Sequence, residues 1–311
     1  MANFVPADPQ PGVPVAQTAS DSADADAMAM APIPWRFRQL TDADSTNTIA
    51  AQIIRQHFQL TIDGRGPGQA RAKMPDGHAA SDPPEDPHGL IILAQTQRAG
   101  RGQYGRSFAS PPGGLYASAI IANLPPVVRG LLSLAAGLAV ALTLEDISVP
   151  HVAVRWPNDV LAGSKKVAGI LCEAVSQGPL WAGVVGIGVN VNTPLSALPP
   201  ELTATATSVL GLTGKTVNIL SLARAIFGRL EDVLRAVSES GAAWLIGELA
   251  RFDALAGRTL TLRLEHGLIT GTGAGISQTG CLKLYTPTGL RQLEIATIIS
   301  VDGRATRPAD K

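Results

Sequence analysis

Three apolar, strand-like segments follow one another at about 152–156, 166–175 and 181–191, with short gaps between them. Parallel neighbours in a sheet need a crossover of about a dozen residues or more, usually a helix. Neither gap can hold such a helix, so these segments must pair as antiparallel hairpins. The pattern argues against a parallel dinucleotide-binding fold. It favours an α+β fold, with a mixed, largely antiparallel sheet and helices packed on one face.

Helical segments surround these strands in the sequence. The polar residues 41–47 can cap a helix over about 48–58, whose isoleucines share one side. An apolar helix is predicted at about 128–144, and Asn218 can cap a long helix that runs to about Val237. A shorter helix is predicted at about 242–250, and further strands at about 35–40, 90–94 and 115–122.

The chain divides into a main domain and two kinds of flanking segment. Residues 1–34, rich in Ala, Pro and Asp, predict a disordered N-terminal tail. Residues 35–252 form the main domain, within which the Gly- and Pro-rich residues 63–89 predict a disordered surface insertion. From 253 to 311 short strands alternate with glycine turns, which predicts a small C-terminal β-barrel.

The charge balance limits the partners that this chain can have. It carries 25 basic and 25 acidic residues, so its formal net charge is zero. We therefore expect no general attraction to nucleic acid or to an anionic membrane. We see no apolar run of about 18 residues and no secretory signal, so we expect a cytoplasmic protein without a membrane span.

A loop rich in glycine and arginine follows the strand at 90–94. Three glycines make the stretch 98–106 flexible, and Arg98, Arg101 and Arg106 add three positive charges with no acid among them. Such a loop should stay mobile until an anion enters, because guanidinium groups and free backbone N–H groups suit phosphate. The alternative is a basic surface turn. The loop is not a Walker motif, since no GK[ST] follows.

A second candidate site is the RWPND segment at 155–159. Pro157 forces Trp156 towards an extended conformation and ends the strand. Asn158 and Asp159 then occupy a turn at the strand end, where their side chains either hold a ligand or cap the turn.

The next strand opens with Lys165 and Lys166. Lys166 is either an edge charge whose stem lies along apolar surface or a cation aimed at a phosphate. Gly169, inside the same strand, indicates close approach by a ligand or by another backbone. In the following strand, Gly186 and Gly188 precede Asn190, whose amide can read a base edge. The alternative there is a bulged strand.

Taken together and in this order, these motifs resemble the catalytic core of biotin–protein ligases. The resemblance covers about 35–305 and implies the class II synthetase-like fold of biotin and lipoate ligases. The segments that carry it are DSTN (44–47), QTQRAGRGQYGR (95–106), SPPGGLYAS (110–118), RWPNDV (155–160), KKVAGILCE (165–173) and GIGVNVN (186–192).

The resemblance implies an ATP-dependent reaction that forms biotinyl-5′-AMP and moves biotin to a lysine of a biotin carboxyl carrier domain. Lys166 and Arg101 would be the catalytic residues. Biotin would be held by Ser45, Thr46, Asn47, Gln97, Gly100, Arg101, Lys166 and Gly169. ATP and the adenylate would be held by Arg101, Gln103, Arg106, Asn158, Asp159, Lys166 and Asn190. Mg²⁺ would arrive on the ATP phosphates, with no protein ligands identified.

Two features depart from the family pattern. Gln103 stands where many members carry an arginine that helps to retain the adenylate, so the resemblance does not carry that role to this chain. A polar tail stands where repressor members carry a winged helix, so we expect no DNA binding. We expect a monomer or weak homodimer. The alternatives are a lipoate or octanoate transferase of the same fold and a non-catalytic biotin-binding regulator.

Overall fold

A seven-stranded sheet forms the centre of the molecule, in a computed structural model that describes residues 30–62 and 86–306. Its strands are β1 (Arg36–Ala43), β2 (Leu90–Gln97), β3 (Leu115–Ala122), β4 (Val152–Arg155), β5 (Asp159–Ala162), β6 (Lys165–Gln177) and β7 (Leu180–Val189). Their spatial order is β1-β2-β3-β7-β6-β5-β4, and only the β1–β2 pair is parallel. The predicted mixed, largely antiparallel sheet is confirmed.

Helices cover both faces of this sheet. They are α1 (Thr46–Ile62), α2 (Pro126–Asp146), α3 (Val209–Thr213) and α4 (Ile219–Ala250). The long helices α2 and α4 pack together on one face, as expected. The expectation that all helices share that face needs a correction for α1, whose Ala50, Ile54 and Phe58 form one apolar stripe on the other face. Residues 90–94 of β2 are therefore covered on both sides and form a continuous apolar run.

Helix α4 contains both of the predicted helices, the one that runs to about Val237 and the one at about 242–250. Asn218 caps it, because its Oδ1 accepts a hydrogen bond from the Ser221 N–H at 2.9 Å. Gly241 breaks the regular helix with φ +76°, at the gap between the two predictions. Beyond α4, six strands form a second, antiparallel sheet in the order β11-β10-β9-β8-β12-β13. These are β8 (Thr259–Leu264), β9 (Gly267–Ile276), β10 (Leu282–Thr286), β11 (Gly289–Leu293), β12 (Thr297–Val301) and β13 (Arg304–Ala305).

The two sheets share one apolar core. Trp156 is buried between them and donates its indole N–H to the carbonyl oxygen of Gly280 at 2.9 Å. Val154 forms a backbone bridge with Asp253, in the segment between α4 and β8. The expected domain boundary at 252/253 lies in that same segment and stays a prediction.

Helix α2 is the central core helix. By length and composition alone, it is the one helix among the described residues that could cross a membrane. However, 72% of its most apolar window is buried inside the protein. Helix α2 is apolar on nearly all sides because it is enclosed by the sheet and by α4.

Most of the two predicted disordered segments, residues 1–29 and 63–85, lies outside the described residues. The ends next to the fold are placed. Ile33 is buried, and its N–H donates to Glu231 on α4. The carbonyl groups of Asp86 and His88 accept hydrogen bonds from Arg36. The expected tail therefore ends earlier than residue 34, and the expected insertion ends earlier than residue 89.

A substitution of Leu138 tests how much this core contributes to the free energy of unfolding. It is fully buried on α2, so Leu138→Ala should lower the free energy of unfolding by about 2–5 kcal/mol through lost burial and a new cavity. Val127→Ala on the same helix is the matched control, because Val127 is 54% exposed. Urea denaturation of both variants measures the difference, and equal losses would contradict this packing.

Candidate active site

A cavity of about 660 Å³ opens beside the N-terminal end of α1. Its floor comes from β6 and β7, and one wall comes from the glycine- and arginine-rich loop. The predicted site residues that line it are Ser45, Thr46, Asn47, Gln97, Arg101, Gln103, Arg106, Asn158, Asp159, Lys166, Gly169 and Asn190. Gly100 is not among the lining residues, and an added Cβ there would collide with the carbonyl oxygen of Phe108.

Gln97 connects the first turn of α1 to the loop. Its Oε1 accepts hydrogen bonds from the Thr46 N–H at 2.9 Å and from the Thr46 hydroxyl at 3.1 Å. Its Nε2 donates to the Ser110 hydroxyl at 2.9 Å. The first N–H groups of a helix have no partner within the helix, so a side-chain acceptor there stabilises the helix start. The same contacts fix the orientation of the Gln97 amide.

Asn47 is held from three sides. Its Nδ2 donates to Glu173 Oε2 at 2.7 Å and to the Leu171 carbonyl at 3.2 Å. Its Oδ1 accepts from the Ser118 hydroxyl at 2.5 Å. An added Cβ at Gly186 would come 2.1 Å from that Oδ1. Gly186 is therefore required for the close approach of α1 to β7, and Asn47 has one fixed orientation.

Phe108 lies over two glycines on the cavity floor. An added Cβ would come 3.3 Å from its ring at Gly169 and 2.7 Å from it at Gly188. The Lys166 ammonium lies 5.6 Å from the centroid of the same ring. The predicted close approach at Gly169 is thus made by the Phe108 and Lys166 side chains in this structure, rather than by another backbone. No sequence motif had indicated a role for Phe108.

A buried ion cluster ends the cavity floor. Asp159 is almost fully buried and pairs with Arg155 Nη2 at 2.7 Å and with Lys166 Nζ at 2.5 Å. The Lys166 contact is an ion pair without aligned hydrogen-bond geometry at Asp159 Oδ1. Burial alone would raise the pKa of Asp159, but the charges of Lys166 and Arg155 outweigh it and hold that pKa below its usual value. Arg155 and Lys166 both line the cavity, and Lys166 is the more exposed of the two, so the cluster presents a net charge of +1 there.

Two asparagines flank this cluster. Asn158 donates its side-chain amide to the Ile170 carbonyl at 2.8 Å, which locks the turn between β4 and β5 onto β6. Asn190 donates its amide to the Thr207 carbonyl at 3.0 Å. The Oδ1 atom of Asn190 is buried and has no hydrogen-bond partner within the described residues. A buried acceptor without a partner is costly, so this atom is suited to a ligand donor.

The glycine- and arginine-rich loop is a short hairpin in this structure. The Gly102 N–H donates to the Arg106 carbonyl at 2.7 Å, and residues 101 and 107 form a bridge. Tyr104, at the tip, has φ +59° and lies under the Arg106 guanidinium at 5.2 Å. The expected mobility of this loop stays a prediction.

Acidic side chains from other elements meet this loop, which the sequence analysis did not foresee. Arg98 pairs with Asp42 at 2.6 Å and with Asp44 at 2.9 Å. Arg101 pairs with Glu173 on β6 at 3.2 Å. The three arginines therefore do not form one free cluster of charge. Glu173 and Ser118 could have been found in the sequence, because each is a polar residue within an apolar strand.

Asp159→Asn tests the ion cluster. The variant should lose about 3–5 kcal/mol of stability, because it leaves Arg155 buried without its counter-charge. The depressed pKa of Asp159 means that the wild-type protein gains this stability above the usual carboxyl pKa and loses it as the pH falls through the folded-state value. Urea denaturation across acidic pH should thus give a flatter profile for Asp159→Asn than for the wild type, and parallel profiles would contradict the assignment.

Comparisons with known proteins place this chain in one family. A family model described as the biotin/lipoate A/B protein ligase family matches residues 81–190. A biotin--[acetyl-CoA-carboxylase] ligase from Paracoccus denitrificans is 34% identical over 217 residues, which are 67% of this chain and 88% of that protein. The bifunctional ligase/repressor BirA of Bacillus subtilis is 29% identical over 68% of this chain, and the match spans 66% of that relative.

A solved structure supports the same grouping. The biotin protein ligase from Aquifex aeolicus, in complex with biotin and ATP, has 25% sequence identity and a TM-score of 0.66. The match covers 85% of this chain and 98% of that one. With its central sheet, its C-terminal sheet and the motifs around the cavity, this chain belongs to the biotin–protein ligase family.

Proposed function

We propose that this protein is an ATP-dependent biotin–protein ligase, which joins biotin to AMP and then transfers biotin to a lysine of a biotin carboxyl carrier domain. The observation that carries the proposal is a single cavity with a polar end at α1, a cation at its floor and a free acceptor beyond that cation. The Aquifex relative was solved with both biotin and ATP, which supports this pair of substrates. We expect the protein in the cytoplasm, because ATP is supplied there.

Biotin would occupy the end of the cavity beside α1. Ser45, Thr46 and Asn47 are buried polar residues there, and Gln97 is fixed against them. Oriented amides and hydroxyls of this kind suit the fused ring of biotin, which carries both hydrogen-bond donors and an acceptor. The close approach at Gly186 keeps this end narrow. The predicted contact of Gly100 with the substrates would require the loop to rearrange.

The nucleotide would lie at the other end, with adenine facing Asn190. The free Asn190 Oδ1 would accept a hydrogen bond from the adenine amino group. Asn158 keeps the turn before Asp159 in place, and Gln103 and Arg106 lie on the cavity wall where phosphates would pass. The sugar and base would rest against the segment 198–206 and Thr306, which complete the lining.

The first chemical step needs no nucleophile from the protein. A carboxylate oxygen of biotin attacks the α-phosphorus of ATP, the bond between that phosphorus and the bridging oxygen breaks, and pyrophosphate leaves. Two anions must meet, so Lys166 and Arg101 would lower their repulsion and stabilise the charge that develops. The acceptor lysine amine then attacks the biotinyl carbonyl carbon, loses a proton and displaces AMP.

Magnesium is expected with ATP, but the described residues do not form a site for it. No group of three or more acidic, histidine or cysteine side chains in ranges 30–62 and 86–306 is arranged to hold a metal ion. Asp159 is already engaged by Lys166 and Arg155. Any magnesium ion would therefore be held mainly by the triphosphate and water, as is common for this cation.

Lys166→Ala tests the proposed mechanism. The variant should slow pyrophosphate release from biotin and ATP by roughly two to three orders of magnitude, because it removes a fixed cation from the reacting anions. Lys165→Ala is the matched control, since the Lys165 ammonium contacts the Thr203 carbonyl and does not line the cavity. Near-normal release by Lys166→Ala would remove Lys166 from the mechanism.

Transfer of labelled biotin tests the proposed function itself. Purified protein should label a biotin carboxyl carrier domain only when ATP is present, and labelled lipoate should not replace biotin. Lipoate transfer would support a transferase of the same fold. Biotin binding without pyrophosphate release would support a non-catalytic regulator, and either result would overturn the proposal.

A further inference from the structure

Glu173 contacts both sides of the cavity. Its Oε2 accepts a hydrogen bond from Asn47 Nδ2 at 2.7 Å, in the first turn of α1. Both of its carboxylate oxygens lie close to Arg101 Nη2, at 3.2 and 3.3 Å. A single carboxylate on β6 therefore joins the helix at one end of the cavity to the arginine of the hairpin loop.

The other two arginines of the loop have different anchors. Arg98 is tied to Asp42 and Asp44 at the end of β1, and Arg106 stacks on Tyr104 within the hairpin itself. Within the described ranges, Glu173 is the ion-pair partner that links Arg101 to the cavity floor. The hairpin is thus held at its base by Arg98 and along its length by the Arg101–Glu173 pair.

We propose that Glu173 is a positioning residue, which holds Arg101 and the hairpin 101–107 beside the cavity before substrate arrives. The pair is half exposed, with 44% of the Arg101 and 34% of the Glu173 side chain accessible, so it is weak and exchangeable. An incoming carboxylate or phosphate can take over Arg101 without breaking a strong contact. The hairpin then needs little further ordering, which lowers the entropic cost of binding.

Only the effect of Glu173 on catalysis rests on the proposed function. The first test of its role towards the hairpin therefore needs no ligand. Chymotrypsin cleavage after Tyr104 reports opening of the hairpin, because Tyr104 is at the tip and 58% exposed. When reclosing is fast, the cleavage rate follows the population of the open form. Cleavage after Tyr285, which is similarly exposed on β10, provides an internal reference.

Glu173→Gln removes the charge and keeps an acceptor for Asn47. It should raise the cleavage rate after Tyr104 by about two- to fivefold, as expected for loss of a partly exposed ion pair. Arg101→Gln should give a similar increase, and the double variant should add no more than either single change. Glu239→Gln, at an exposed position on α4, is the matched control and should cut at the wild-type rate. Rates for Glu173→Gln equal to that control, or additive effects in the double variant, would overturn the proposal.

The effect on catalysis separates the two contacts of Glu173. With preformed biotinyl-AMP, Glu173→Gln should release the adenylate faster by a similar factor, because Arg101 is no longer held beside the cavity. Glu173→Ala, which also removes the acceptor for Asn47, should in addition raise the KM for biotin above that of Glu173→Gln. Adenylate release at the wild-type rate in Glu173→Gln would contradict the role of Glu173 towards Arg101. If the wild-type protein forms no adenylate, the proposed function fails and the cleavage result still decides the role of Glu173.

Discussion

A buried carboxylate fixes the lysine on which the proposed chemistry depends. Asp159 has almost no contact with solvent, and two cations outweigh the cost of burying its charge. Without Asp159, the flexible Lys166 side chain would have many positions available, and each ordered position would carry an entropic cost. With Asp159, the ammonium is held at one place on the cavity floor, and the cluster still presents a net positive charge. Preorganised charge of this kind needs no rearrangement when the anionic substrates arrive.

The order of the strands places that cluster. Arg155 and Asp159 are paired across the β4–β5 hairpin, and Lys166 opens β6 on the other side of β5. Three neighbouring strands joined by short turns therefore bring three charged side chains together. Two of these strands, β4 and β6, belong to the closely spaced segments that argued against a parallel fold at the level of sequence. The short connections between strands therefore both limit the topology and assemble the site.

Glycines shape the rest of the cavity. Gly186 lets Asn47 approach β7, while Gly169 and Gly188 leave room for Phe108 and Lys166 above the sheet. A side chain at any of these positions would collide with Asn47, Phe108 or Lys166, which line the cavity. Asn47 at the start of α1 can reach the cavity only because β7 has no side chain at Gly186. Helix packing and substrate space therefore depend on the same three positions.

Local patterns predicted much of this arrangement, whereas contacts between distant elements escaped them. The β6–β7 hairpin and the Asn218 cap followed from periodicity and capping rules, and nearly all of the site residues indicated by motif resemblance line the cavity. Strand β5 was not predicted, and the expected pairing of 152–156 with 166–175 is wrong because β5 lies between β4 and β6. The placement of α1 on the opposite face did not, because a short amphipathic pattern does not say which face it covers. The pairing of Arg101 with Glu173 joins residues 72 positions apart, and no local pattern encodes it.

A crystal structure of this chain with biotinyl-5′-AMP tests the central claim most directly. The account predicts that Lys166 Nζ lies within hydrogen-bond distance of the acyl or phosphate oxygens, while Asp159 remains paired with Arg155. It also predicts the biotin ring beside Thr46 and Asn47 and adenine beside Asn190. An adenylate bound elsewhere, or a Lys166 Nζ beyond hydrogen-bond distance of its acyl and phosphate oxygens, would contradict it.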